Sequence, residues 1–154
     1  MYALRIGLLV LHITSAALLF GGVLGVPRLV KNTLALGQAA FQVAAKEARR
    51  RGTLTGIGAL ATLWTGVGLI FLMGGFGQAP LNFHIALTLM FVAIGSNLIF
   101  IRPSIGKLIV ESDKPQFDPN VVARALKKIS MGQGILHLIW ITNLALMFHR
   151  IYKS

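Results

Sequence analysis

The sequence LHITSAALLFGGVLGVPRLVK occupies residues 11–31 and is apolar for most of its length, with one histidine near its start and two basic residues at its end. A helix needs roughly 20 mostly apolar residues to cross a bilayer, and the apolar run from Ile6 to Val26 is long enough. The run also exceeds the roughly 7–15 apolar residues of a signal peptide. The stretch therefore predicts a permanent membrane-spanning helix that contains His12.

The composition of the whole chain agrees with a membrane protein. Of its 154 residues, 55% are hydrophobic and 12% are charged, whereas soluble domains have about 25% charged residues. The absence of cysteine excludes disulfides, thiolate metal sites and cysteine nucleophiles. The net charge of +11 comes from basic residues between the apolar runs, without an aromatic-interleaved basic face, which favours membrane lipid over nucleic acid as the partner.

Four apolar runs predict an all-α integral membrane protein, a single domain folded as a bundle of four transmembrane helices. The runs lie at about 3–30, 53–74, 81–101 and 129–151. The connections 31–52 and 102–128 are rich in lysine and arginine, whereas residues 75–80 carry no charge. The positive-inside rule predicts that both basic connections are cytoplasmic and that both termini are periplasmic, in a bacterial inner membrane.

The two basic connections have different patterns. NTLALGQAAFQVAAKEARRRG, residues 32–52, is expected to continue as a helix, whereas SDKPQFDPN, residues 112–120, predicts an irregular loop before a helical turn that starts near Pro119. Within the first span, Gly21 and Gly25 have the GxxxG spacing. This spacing predicts close helix packing, which is also compatible with clearance for a flat cofactor.

The histidines are the titratable residues inside the predicted spans, and such residues are functional candidates by default. His12 lies about 10 Å inward from Arg5 and His84 about 5 Å inside the third span, so both are predicted in the outer leaflet. His149 is at the outer end of the fourth span, and His137 is about 18 Å deeper. His137 is interpreted as a second haem ligand, a proton relay or a structural polar group, and His149 as a headgroup contact or a ligand.

Two imidazoles at matched depth on different helices are what a b-type haem requires as axial ligands. His12 and His84 are therefore predicted to bind haem iron in a protein of electron transfer or of oxidation of a hydrophobic substrate. Polar residues on the four spans could orient the imidazoles or bond between helices. These residues are Thr14, Ser15, Thr62, Trp64, Thr65, Ser96, Asn97, Thr142 and Asn143.

Two alternatives remain open at this stage. Copper could be held near the outer face by thioether and imidazole groups from Met73, Met147, His84, His149 and His12. Alternatively, the chain is a non-catalytic subunit whose glycine-rich faces pack against a larger membrane complex or a second copy. Hydrolytic and phosphoryl-transfer chemistry are disfavoured, because the sequence has no phosphate loop and all four acidic residues lie in the basic connections.

The first span resembles two related membrane families, the HemJ-type protoporphyrinogen oxidases and the CopD-like copper-resistance proteins. The resemblance rests on Leu11-His12-Ile13, Gly21-Gly22 and Pro27-Arg28, and it continues through ARRRGTLTGIGALATLWTGVGLI and NFHIALTLMFVAIGSNLIF. It implies that His12 and His84 serve the haem or the reaction, that Arg28 lies near a substrate propionate, and that the substrate is tetrapyrrole-like or quinol-like.

The chain also resembles small four-helix di-haem cytochromes, whose histidine count it matches. In such a protein His137 and His149 would both be ligands. Twelve residues separate them, which places their side chains about 120° apart on an ideal helix. This angle favours one haem over two.

Overall fold

The computed structural model describes the backbone of residues 2–151 and the side chains of residues 2–146. This part of the chain is helical and contains no β-strand. The elements are α1 (Tyr2–Gly21), α2 (Val26–Leu34), α3 (Gln38–Leu72), α4 (Leu81–Ser96), a π-helical turn (Asn97–Ile101), α5 (Arg102–Ser112) and α6 (Pro119–Ile151).

Four helical segments of the described chain are long and apolar enough to cross a membrane, which confirms the predicted all-α membrane bundle. They are Tyr2–Leu34, Gln38–Leu72, Leu81–Ser112 and Pro119–Leu146. At about 1.5 Å per residue the 35 residues of α3 extend about 52 Å, whereas the hydrocarbon core is about 30 Å thick. The helices therefore continue well past the predicted spans into the basic connections, which are mostly helical.

The helices are arranged so that α1 and α4 occupy opposite corners of the bundle. Helix α1 packs along α3, α3 also contacts α4, α4 packs against α6, and α6 returns to α1. Helices α2 and α5 lie beside α3 and α6. We call the end that carries α2, α5 and the turn at residues 113–118 the basic end, and the end with residues 73–80 the neutral end.

The best-packed core lies toward the basic end. Phe41, Leu108 and Ile129 are completely buried there, and Phe117 packs edge-on against Phe41 with ring centroids 5.3 Å apart. By contrast, large apolar side chains along the first half of α1 are exposed, including Val10 at 58% and Ile13 at 61%. The basic end thus has a core like that of a soluble helical domain, whereas the first half of α1 presents the apolar surface expected to face lipid.

The first predicted span is divided by a turn at residues 22–25. Gly25 has φ of +80°, a left-handed conformation that favours glycine, and Pro27 follows it in the first turn of α2. A Cβ on Gly22 would collide with Thr55 Oγ1 of α3. Gly21 has open space beside it, so the predicted GxxxG contact is wrong and its neighbours Gly22 and Gly25 have the structural roles.

The third span remains helical through a π turn. Pro103 has no N–H for the carbonyl of Ile99, and in an α-helix its ring would clash with that carbonyl. One turn is wider than an α-helical turn, and in it the Arg102 N–H donates to the carbonyl of Asn97. The π turn therefore lets α4 and α5 continue as one segment despite the proline.

The turn at residues 113–118 is organised by carboxylates. Glu111 accepts from the backbone N–H of Asp118 at 2.9 Å and pairs with Lys114. Asp118 Oδ1 accepts from the N–H of Asn120 at 2.8 Å, as an N-cap residue does. Gln38 Nε2 donates to the carbonyls of Ser112 and Lys114, which ties the start of α3 to this turn. The prediction of an irregular loop followed by a helix from Pro119 is confirmed.

Candidate functional site

His12 lies half-buried in the seam between α1 and α3. Its Nδ1 is 2.9 Å from Thr65 Oγ1. A Cβ added to Gly66 would lie 3.1 Å from His12 Cε1, so the glycine leaves room for the imidazole edge. Of the polar residues predicted near the histidines, Thr65 is therefore the one that bonds the imidazole of His12.

The hydrogen bonds around Thr65 favour one tautomer of His12. Thr65 Oγ1 lies 2.6 Å from the carbonyl of Ala61, which can only accept. The single hydroxyl proton of Thr65 therefore donates to Ala61, and its oxygen accepts a hydrogen bond from His12 Nδ1–H. The Nε2 of His12 retains its lone pair. A histidine held at one nitrogen so that the other can bind a metal is the usual arrangement in metal sites.

The seam contains a second polar contact, one turn closer to the basic end. Thr62 Oγ1 lies 3.1 Å from Ser15 Oγ, and Ser15 donates to the carbonyl of His12. Gly58 lets the two backbones approach, because an added Cβ would lie 2.6 Å from the Leu19 nitrogen. These contacts hold α1 against α3 on both sides of His12.

His84 lies near the start of α4 and is also half-buried. Its ring is tilted against Phe76, with centroids 6.2 Å apart. Within the described side chains, neither of its ring nitrogens makes a hydrogen bond. His84 is thus an imidazole packed against an aromatic ring at the neutral end.

Contacts with α6 give the relative depth of the two histidines. Gln133 Nε2 donates to the carbonyl of Val23 at 2.7 Å, and Asn82 Nδ2 donates to the carbonyl of Leu146 at 3.4 Å. His12 lies eleven residues before Val23, which is level with Gln133. Asn82 is level with Leu146, thirteen residues beyond Gln133, and His84 lies two residues back from Asn82. At about 1.5 Å per residue, both histidines therefore lie about 16 Å from Gln133 toward the neutral end. The two residues share one level on opposite corners of the bundle.

His137 lies on α6, about 6 Å from the level of Gln133 on the same scale. Its Nδ1 is 2.9 Å from the Gln133 carbonyl, so Nδ1 carries the proton and donates. Gln133, which was not among the predicted residues, thus contacts Val23 through its side-chain amide and His137 through its main-chain carbonyl. No local sequence signal identifies it, because any residue four positions before His137 would offer the same main-chain carbonyl, and the contact with Val23 depends on tertiary packing.

The remaining predicted site residues are not brought to His12. Arg28 is exposed on α2 at the basic end. Arg51, whose Nη1 bonds the Leu24 carbonyl near Arg28, is fourteen residues along α3 from Thr65, or about 21 Å. Arg28 and His12 therefore belong to different ends of the bundle.

The proposed copper ligands are less fully described. Met73 is half-buried at the end of α3. The side chains of Met147 and His149 lie outside the described residues. Among the side chains described, no three or more histidine or carboxylate groups are clustered.

Comparison of the chain with protein-family models, with curated proteins and with solved structures found no match. The sequence and the geometry of the bundle are therefore the basis for assigning a function.

Proposed function

We propose that this protein is a multi-pass protein of a bacterial inner membrane that binds one b-type haem near its neutral end, with His12 and His84 as axial ligands. The observation that carries the proposal is the Thr65 hydrogen bond, which holds Nδ1 of His12 and leaves Nε2 available as a ligand. His84 lies at the same level on the opposite corner of the bundle. Two imidazoles from facing helices are a donor set that suits haem iron.

The proposed orientation follows from the charges of the connections. The basic end would face the cytoplasm under the positive-inside rule, and the histidine level would lie in the periplasmic leaflet. A bound haem would supply one-electron chemistry through its iron. The protein's contribution would be to hold the His12 imidazole in one tautomer, to place His84 at the same level and to surround the site with apolar helices. Electron transfer or oxidation of a hydrophobic quinol-like or tetrapyrrole-like substrate is the function proposed for such a site.

The proposal is tested by visible spectra of the detergent-purified, haem-reconstituted protein, oxidised and then reduced with dithionite. We expect a Soret band and sharp reduced α and β bands, which His12→Ala and His84→Ala should each abolish or shift. His137→Ala, whose imidazole lies about 10 Å from that level, is the matched control and should leave the low-spin spectrum unchanged. Unchanged spectra in both ligand variants would overturn the ligand assignment, and a colourless protein with stoichiometric copper would favour a copper site.

Thr65→Val tests the positioning role of the hydroxyl separately. The variant keeps the shape of Thr65 but removes the acceptor for His12 Nδ1–H. Loss of such an outer hydrogen bond lowers metal affinity by about 10–100-fold, and we expect a decrease of this size in haem affinity. Thr53→Val, on the exposed surface of the same helix, is the control. Equal haem affinities in Thr65→Val and wild type would argue against the positioning role.

A further inference from the structure

A groove of about 680 Å³ runs between α3 and the segment formed by α4, the π turn and α5. Leu60, Ile94 and Leu98 line its apolar part, and Arg49 and Arg102 line the part toward the basic end. Gly56 lies between these parts, and a Cβ added there would meet nothing within 4 Å. The part toward the neutral end is therefore apolar, and the part toward the basic end combines two arginines with the apolar side chains of Ile105 and Ile109.

The two arginines are not neutralised by the protein. Both are exposed, and within the described chain no carboxylate lies within 4.0 Å of either guanidinium. Glu47 pairs with Arg51 instead, and Glu111 pairs with Lys114. No aspartate or glutamate lines the groove. The charged part of the groove is thus complementary to an anion.

The wall of the groove also contains a polar side chain without a partner. Asn97 is 7% exposed, and its Nδ2 makes no hydrogen bond. Asn97 is the first residue of the π turn. This nitrogen has almost no surface exposed to the groove, so the unpaired amide is a feature of the π turn and does not supply a ligand contact.

We propose that this groove binds one acidic phospholipid. The phosphate lies beside Arg49 and Arg102, and an acyl chain lies over Gly56 toward Leu60 and Leu98. A phospholipid matches the order of these features along the groove, from anionic headgroup to hydrocarbon. Basic pockets between membrane helices are known to take acidic headgroups. The site lies toward the basic end, away from the histidine level, and does not depend on haem.

The test is native mass spectrometry of the full-length protein with phosphatidylglycerol or phosphatidylcholine of identical acyl chains. We expect one phosphatidylglycerol to bind wild type in preference to phosphatidylcholine. The affinity of the protein for phosphatidylglycerol should fall about fivefold for each of the two arginines removed in R49Q/R102Q. The control R50Q/K107Q removes the same charge from two exposed residues outside the groove and should retain the lipid. Gly56→Leu should fill the groove and reduce binding without changing any charge.

Several results would overturn the proposal. Equal binding of the two lipids, or an equal loss in the control, would show general attraction instead of a site. Inorganic phosphate that displaces the lipid equally well with and without Gly56→Leu would indicate a small-anion site. A dimer that Gly56→Leu converts to a monomer would assign the groove to a second copy of the chain.

Discussion

At the scale of single residues, the seam between α1 and α3 is made of small and polar contacts. Leu8, His12, Ser15 and Leu19 recur at helical spacing on α1, and each meets a glycine or threonine of α3. Between helices in lipid there is little hydrophobic driving force, so close backbone approach and interhelical hydrogen bonds carry the association. Each such hydrogen bond contributes about 0.6 kcal/mol on average, so the glycine contacts matter as much as the polar ones.

Gly58→Ala is expected to loosen this seam. The new Cβ would lie 2.6 Å from the Leu19 nitrogen and 2.9 Å from the Ser15 carbonyl oxygen, both backbone atoms that cannot rotate away. Forced overpacking of this kind destabilises by about 1–3 kcal/mol. The measurement is the thermal unfolding midpoint in detergent.

Gly56→Ala, half a turn away, is the control for that substitution. Its Cβ would meet nothing within 4 Å, and alanine is the better helix former by up to about 1 kcal/mol. Its midpoint should equal or exceed that of wild type. A Gly58→Ala midpoint as high as that of Gly56→Ala would contradict the packing described for α1 and α3.

At the scale of elements, the boundaries of α5 and α6 depend on side chains in the intervening turn. Glu111 holds the turn at its start, and Asp118 caps α6. Pro119 is suited to the first position of α6 because the N–H that it lacks would have no helical acceptor there. The two acidic residues thus organise a connection that is otherwise basic.

Asp118→Ala should fray the start of α6. Loss of an N-cap acceptor costs about 1 kcal/mol, so we expect a lower unfolding midpoint and faster trypsin cleavage at Arg124, which is exposed near the start of α6. Asp113→Ala is the matched control, because Asp113 is exposed and its side chain makes no hydrogen bond to any described residue. Equal changes in the two variants would indicate a general charge effect and not a cap.

At the scale of the whole molecule, the helices form one continuous bundle with two different surroundings. Phe41, Leu108 and Ile129 at the basic end bury their side chains completely, as in a water-soluble core. The first half of α1 packs through one seam and otherwise exposes apolar surface. The helices are therefore expected to cross the bilayer near the neutral end and to extend into water at the basic end.

The orientation of this bundle can be tested because the chain has no cysteine. Gln78 lies exposed in the neutral turn and Gln116 lies exposed in the basic one. In intact cells with a permeable outer membrane, an impermeant maleimide should label Gln78→Cys and not Gln116→Cys. Permeabilisation of the inner membrane should make both reactive. The reverse pattern would contradict the positive-inside prediction.

The sequence predicts a helix over residues 32–52, which the structure interrupts at 35–37. It predicts correctly the helical membrane class, the approximate spans and a helical turn near Pro119, where α6 begins. These properties follow from hydropathy and from local chemistry, which act along the chain and need no partner. It also predicted similar depths for His12 and His84, because a helix converts residue number directly into distance. Haem binding, the ligand pair and the orientation remain predictions.

The tertiary structure sets which groups meet across helices. It paired His12 with Thr65, replaced the expected GxxxG contact by Gly22 and Gly58, and formed the groove beside Asn97. Each of these features depends on the rotation of one helix against another. Such rotation is set by the packing of all helices together, so hydropathy along a single span cannot specify it.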